Sequence, residues 1–172
     1  MNRETAWRAA YALVSMTVLC LDQITKWKIT STMTLYSSIP VLRDFFHLTL
    51  VTNRGALFGL FHDMADPYRG ALFTSIPILA ILLIVVFQVR TTVADTAAQA
   101  GLALILGGAL GNLTDRLRLG YVIDFLDIFV GSHHWPAFNV ADASICIGVT
   151  FLVLDLLAKG PEHRRAGTTP ES

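Results

Sequence analysis

Charge is what this chain has least of. Asp, Glu, Lys and Arg make up 15% of its 172 residues, well under the roughly 25% typical of a soluble domain. The 13 acidic and 13 basic side chains cancel, which removes any argument for nucleic acid or an acidic partner. There are two cysteines, Cys20 and Cys146; both fall in apolar runs with no histidine near in sequence, and they read as buried, inert thiols rather than a nucleophile or a disulfide. The histidines, His47, His62, His133, His134 and His163, all lie outside those runs and no H-E-x-x-H occurs, so a zinc peptidase would lack its ligands. His133-His134 beside Trp135-Pro136 reads as an exposed loop tip. Ser144 has neither a G-x-S-x-G setting nor a plausible base. Phosphate-cradling loops and internal repeats are also missing.

What the chain has in excess is apolar surface. Hydrophobic residues make up 53% and the mean hydropathy is +0.56, so the expected environment is lipid and the expected fold class is all-α membrane. Four spans can be drawn, over residues 9–27, 70–89, 97–113 and 139–158. The second is an uncharged run between Arg69 and Arg90, about the length needed to cross a hydrocarbon core of roughly 30 Å. The third is rich in small residues (Gly101, Gly107, Gly108, Gly111), which let helix backbones approach closely in lipid and read as packing positions. Asp155, four residues before Lys159, reads as a snorkelling charge at a helix end.

The spans predict a four-helix transmembrane bundle over residues 1–160 as a single domain, with residues 161–172 as a disordered tail. Arg3 and Arg8 precede the first apolar run as in a signal peptide, but Cys20-Leu21-Asp22-Gln23 continues without a cleavage site, so a retained helix is expected. Four spans put both termini on one side. Counting basic residues gives six on the terminal face (Arg3, Arg8, Arg90, Lys159, Arg164, Arg165) and seven on the other (Lys26, Lys28, Arg43, Arg54, Arg69, Arg116, Arg118). If the latter are partly engaged in a site, the termini are cytoplasmic. The other face carries two long segments, 28–69 and 114–138. Phe46 to Thr52 reads as a strand with Asn53-Arg54-Gly55 as its turn, and Tyr121 to Phe125 as a second strand. A small β-containing extracytoplasmic subdomain between the first two spans is therefore expected.

Polar residues gather at one end of these spans. Asp22 and Lys26 close the first, Asn112, Asp115 and Arg116 close the third, and Asn139 and Asp142 open the fourth, so antiparallel threading brings them to one membrane face. An ionisable group at bilayer depth costs about +2.5 to +3.5 kcal/mol on the lenient insertion scale, and several at one depth suggest a site. Two carboxylates a few ångström apart share a proton, so that one can activate water while the other polarises a carbonyl. Asp22, Asp115, Asp124, Asp127 and Asp142 are all candidates for such a pair. Assigning Asp22 to Lys26 and Asp115 to Arg116 leaves Asp124 and Asp142 without an adjacent basic partner. No metal or organic cofactor is required by this chemistry.

Five blocks in order carry a resemblance: Leu21-Asp22-Gln23-Ile24-Thr25-Lys26, Asn53-Arg54-Gly55-Ala56, Gly111-Asn112-Leu113-Thr114-Asp115-Arg116, Val122-Ile123-Asp124-Phe125 and Phe138-Asn139-Val140-Ala141-Asp142-Ala143. From about residue 10 to 158 the chain resembles the bacterial lipoprotein signal peptidases, or signal peptidase II. The resemblance implies an aspartic endopeptidase of the bacterial cytoplasmic (inner) membrane, working near the extracytoplasmic surface, with Asp124 and Asp142 matching the catalytic pair. It implies supporting or substrate-binding positions at Asp22, Lys26, Asn53, Gly55, Asn112, Asp115, Arg116, Asn139 and Ala141. Leu57 departs from the family, which usually has a smaller residue there. The implied substrate is a prolipoprotein with diacylglycerol on its lipobox cysteine, cleaved N-terminal to that residue by a monomer embedded in lipid. Lateral entry between helices, with 28–69 as a cover, is the expected access.

Two readings from other classes compete. A small proton-coupled transporter would use Asp22 and Asp142 as relay carboxylates, but an inverted repeat and a midplane charge are both missing. A non-enzymatic assembly subunit would use the polar cluster only to hold helices together and would tolerate Asp124→Asn.

Overall fold

A computed structural model describes residues 2–55 and 66–159. Ala56, Leu57, part of the proposed 28–69 cover and the 161–172 tail lie outside the described residues. Helix α1 (Arg3–Thr32) starts on Asn2, whose side chain accepts the Thr5 N–H, and ends at Met33, where the backbone turns extended. It is followed by strands β1 (Ser38–Leu42) and β2 (Phe46–Asn53), helices α2 (Asp66–Arg90) and α3 (Thr96–Leu119), strands β3 (Val122–Val130) and β4 (His133–His134), and helix α4 (Val140–Lys159).

Leu72–Arg90, Thr96–Leu119 and Val140–Lys159 are long and apolar enough to cross a membrane. α1 has 30 residues, about 45 Å at the helical rise, but Asp22, Gln23 and Lys26 interrupt its apolar run. α3 lies at the centre and packs against α1, α2 and α4. Its glycines are packing positions, as expected. A Cβ on Gly101 would lie 2.8 Å from the Gly148 carbonyl oxygen, and one on Gly148 would lie 2.5 Å from that of Gly101. α3 and α4 therefore cross backbone to backbone, the arrangement small residues allow in lipid.

The third helix runs a turn and a half past the expected boundary at residue 113. The apolar run marks where the hydrocarbon ends, whereas the backbone ladder continues through Asp115 and Arg116 until Gly120 takes a left-handed conformation (φ 80°) and caps it through the Arg116 carbonyl. Both expected strands are present, within β2 and β3, but the sheet is not confined to the segment between the first two helices. It is a four-stranded antiparallel sheet in the order β1-β2-β3-β4, and two of its strands come from the segment between α3 and α4 rather than from the one between the first two helices. One face of it packs Leu50, Ile123 and Phe125 onto Ile29 and Met33 at the end of α1. This seats the sheet on the bundle and fixes the height of β3 against α1.

Candidate active site

The fourth helix begins with a reciprocal cap. Asn139 accepts the Asp142 N–H on Oδ1 at 2.9 Å, and Asp142 accepts the Asn139 N–H on Oδ2 at 3.2 Å, the capping-box exchange in which two short polar side chains satisfy orphan donors of the first turn. Just upstream, Phe138 pairs with Leu126 of β3 through its N–H and carbonyl. β3 and the start of α4 are thereby held side by side. The Asn139 amide Nδ2 reaches Asp124 Oδ1 at 2.7 Å, with the Ile123 carbonyl and Asn112 Oδ1 also in range at 3.2 and 3.1 Å. Asn112 donates from Nδ2 to Asp142 Oδ1 at 2.7 Å.

Asp124 and Asp142 are thus joined through Asn139 and Asn112. Among the described residues, the hydrogen-bond donors to Asp124 are Asn139 and Asn53, whose Nδ2 lies 3.1 Å from Oδ2; those to Asp142 are Asn112 and the Asn139 backbone. All four are uncharged. Asp124 is fully buried and Asp142 half-buried. Burial, followed by the neighbouring charge of Asp142, pushes the Asp124 carboxyl from 3.8 up to about 6, and the amides of Asn53 and Asn139, together with the charge of Lys26, oppose the rise.

Basic charge is held one layer deeper. The Lys26 ammonium, 1% exposed, meets three acceptors: Asp22 Oδ2 at 2.8 Å, Asp115 Oδ2 at 2.9 Å and Asn112 Oδ1 at 3.0 Å. These match its three donors. With Lys26 and Asn139 both donating to its oxygen, Asn112 is oriented with its NH₂ toward Asp142. The pairing of Asp115 with Arg116 expected from adjacency is not found; Asp115 pairs with Lys26. Neighbouring residues on a helix point about 100° apart and do not face each other, and the Arg116 guanidinium instead donates to the Asn112 carbonyl at 3.3 Å.

Two glycines are needed for this geometry. Gly55 sits at φ 84° and donates its N–H to Asn53 Oδ1 at 2.9 Å, closing the turn that aims Asn53 at Asp124. A Cβ on Gly111 would lie 2.6 Å from Asp22 Oδ2. Ala141, fully buried, gives its N–H to Asp22 Oδ1 at 3.0 Å. A cavity of about 130 Å³ opens beside Asn53 and is lined also by Arg54, Phe73, Arg116 and Tyr121.

Other candidates fall elsewhere. Asp127, three residues from Asp124 along β3, accepts from Thr49 Oγ1 at 3.0 Å and meets His134 Nδ1 at 2.9 Å, so it belongs to the opposite side of the strand. Ser144 bonds its own helix at the Val140 carbonyl. Asp155 and Asp95 both pair with Lys159. Cys20 and Cys146 are free and exposed on the outer faces of their helices. The expectation that they are buried is wrong, because an apolar run in a membrane helix marks contact with lipid as readily as contact with protein. Gln23 is a site residue that motif reading left without a role. Its Nε2 lies 2.9 Å from Asp115 Oδ1 and 3.2 Å from Asp22 Oδ2, and the signal was its position three residues before Lys26 on the same helix face.

A family model for signal peptidase (SPase) II matches residues 14–158. The chain belongs to the signal peptidase II family. Relatives described as lipoprotein signal peptidase agree over most of their length. That of Syntrophus aciditrophicus is 47% identical over 145 residues, covering 84% of this chain and 90% of the relative. That of Geobacter sulfurreducens is 47% identical over 148 residues, covering 86% and 90%. A solved bacterial membrane enzyme, studied by the in meso method, superposes with a TM-score of 0.78 at 31% identity, over 88% of this chain and 95% of that one. Membership makes this chain a membrane peptidase of the aspartic type. None of these similarities favours the transporter reading.

Proposed function

We propose that this protein is a four-span aspartic endopeptidase of the bacterial inner membrane that removes signal peptides from diacylglyceryl-modified prolipoproteins, cleaving N-terminal to the lipidated cysteine, with Asp124 and Asp142 as its catalytic pair. One observation carries the reading: these carboxylates, from β3 and α4, are joined through Asn139 and Asn112 and, among the described residues, accept hydrogen bonds from amides, while Lys26 is occupied by Asp22 and Asp115. A cation bonded directly to either carboxyl would favour its ionised form and oppose proton sharing.

The chemistry then follows the pair. Asp124, pushed up to about 6, holds the shared proton and directs it at the scissile carbonyl oxygen. Asp142, more open than Asp124, takes a proton from water as the water oxygen bonds to the carbonyl carbon. The tetrahedral gem-diol collapses when Asp142 passes that proton to the amide nitrogen, the C–N bond breaks, and Asp124 recovers its own. The apolar signal helix and the diacylglycerol both prefer the bilayer, so the scissile bond is presented near its surface.

Two features support α1 as the fourth span. Trp7 and Trp27, both exposed, stand twenty residues apart, about 30 Å along a helix, and so could sit at the two membrane–water interfaces. The charges that interrupt its apolar run, Asp22 and Lys26, are paired inside the bundle. Setting aside Lys26 and Arg116, both engaged in the site, lowers the count of basic residues on the active-site face from seven to five, against six on the terminal face. That favours cytoplasmic termini.

The test is turnover of a lipidated preprolipoprotein by purified protein in detergent. Asp124→Asn and Asp142→Asn should each lower kcat toward the upper end of the range for a lost acid–base group, about 10⁴-fold, because an amide keeps the shape but cannot transfer the proton. Substantial turnover by either folded variant rejects the pair.

A further inference from the structure

We propose that Gln23 and Asp115, acting with Lys26, are positioning residues that set the spacing of the Asp124–Asp142 pair through the backbone; this rests on the reading of that pair given above. The cluster is a closed ring. Lys26 Nζ bridges Asp22 Oδ2 and Asp115 Oδ2 at 2.8 and 2.9 Å, and Gln23 Nε2 bridges the same two carboxylates at 3.2 and 2.9 Å while also reaching the Gly111 carbonyl at 3.2 Å. Each carboxylate has one further bond, to a main-chain amide outside the ring. Asp115 Oδ2 accepts the Ile123 N–H at 3.2 Å, and Asp22 Oδ1 accepts the Ala141 N–H at 3.0 Å.

Ile123 immediately precedes Asp124, and Ala141 immediately precedes Asp142. One rigid ring therefore grips the peptide just upstream of both catalytic side chains, from two different elements. Asp22, Lys26 and Asp115 are each at most 3% exposed and Ala141 is fully buried, so the charged members of the ring have no solvent into which to relax. Gln23 is the half-exposed member and holds Asp115 by Oδ1 while Lys26 holds it by Oδ2. If Gln23 is lost, Asp115 can rotate, the Ile123 amide loses its anchor, and β3 can draw Asp124 away from Asp142. A misplacement of reacting groups by about 1 Å costs on the order of 10²-fold in rate.

The experiment uses the full chain in detergent with a lipidated preprolipoprotein, and counts active sites with a tight-binding mimic that bears a hydroxyl at the scissile carbon. Gln23→Met keeps the length and removes the donors; Asp115→Asn keeps an acceptor for Ile123 and removes the ion pair. Per active site, kcat should fall about tenfold in Gln23→Met and about 10²-fold in Asp115→Asn, with KM within about twofold of the parent. The alkaline limb of the kcat–pH profile should move to lower pH, because carboxylates that separate repel less and the shared proton is lost sooner. Parental kcat and pH profile per active site in both variants overturn the proposal, even if the yield of folded protein drops, since that result makes the ring merely structural. Asp124→Asn and Asp142→Asn are run alongside. If they turn over, the catalytic pair is wrong; if they are dead while Gln23→Met and Asp115→Asn are parental, only the positioning role fails.

Discussion

Asp124 should cost the folded protein stability, and the cost should depend on pH in a defined direction. Its carboxyl titrates near 3.8 when unperturbed and at about 6 in place. Between those values the native state holds a proton that the unfolded state has released, so stability falls as pH rises through this window and levels off above it. At about 1.36 kcal/mol per pKa unit, a rise of roughly two units amounts to about 3 kcal/mol. Asp124→Asn removes that burden. It introduces a smaller one, because both carboxylate oxygens accept amide N–H groups, from Asn139 and Asn53, and an asparagine must turn its own NH₂ toward one of them, which costs about 1 kcal/mol. The net expectation is that Asp124→Asn is about 2 kcal/mol more stable than the parent above pH 6.5, or about 4–8 °C in Tm for a chain of this size. Below pH 4 the gain should vanish. Thermal unfolding in one detergent, monitored by intrinsic tryptophan fluorescence at pH 7.5 and pH 4, measures both. A variant that is less stable at pH 7.5, or whose gain is the same at both values, refutes the reasoning about Asp124.

Two further outcomes are expected. Gly111→Ala places a Cβ 2.6 Å from Asp22 Oδ2 and 3.3 Å from the Ala141 Cβ; overpacking of about 1–3 kcal/mol should lower Tm and kcat together, and an unchanged Tm would show that α1 and α3 do not approach as described. In a Cys20→Ala, Cys146→Ala background, a cysteine at Ser132 should react with an impermeant thiol reagent in cells whose outer envelope is permeable, and one at Thr92 only after lysis. Labelling of both from the same side breaks the antiparallel threading.

The main elements were legible because their signals are local. Phe46 to Thr52 alternates with β-branched and aromatic side chains and became β2; the uncharged run before Arg90 became α2; Asn53-Arg54-Gly55 became a turn because only its glycine sits comfortably at φ 84°. Boundaries were less legible, since hydropathy reports where lipid ends and not where backbone hydrogen bonding stops, and α3 therefore continues to Leu119. Partner strands were harder still. β2 pairs with β3 across some seventy residues of chain, and no local pattern states which loop supplies the neighbour of a strand.

Charge pairing was the least legible layer, and the reason lies in Lys26. Sequence adjacency gave it to Asp22 alone and gave Asp115 to Arg116, but a buried ammonium has three donors and each needs an acceptor, so it also takes Asp115 and Asn112 from a second helix. That demand organises the site. It occupies the Lys26 ammonium, turns Asn112 so that its NH₂ faces Asp142, and leaves Asp22 and Asp115 able to hold the backbone at Ala141 and Ile123 as well. An ammonium left unpaired at this depth would cost several kcal/mol, so the three acceptors are a condition for placing Lys26 in the bundle at all. The amides that remain serve Asp124 and Asp142, so in the mechanism proposed above these two carboxyls contact each other's network through neutral donors rather than through an ammonium.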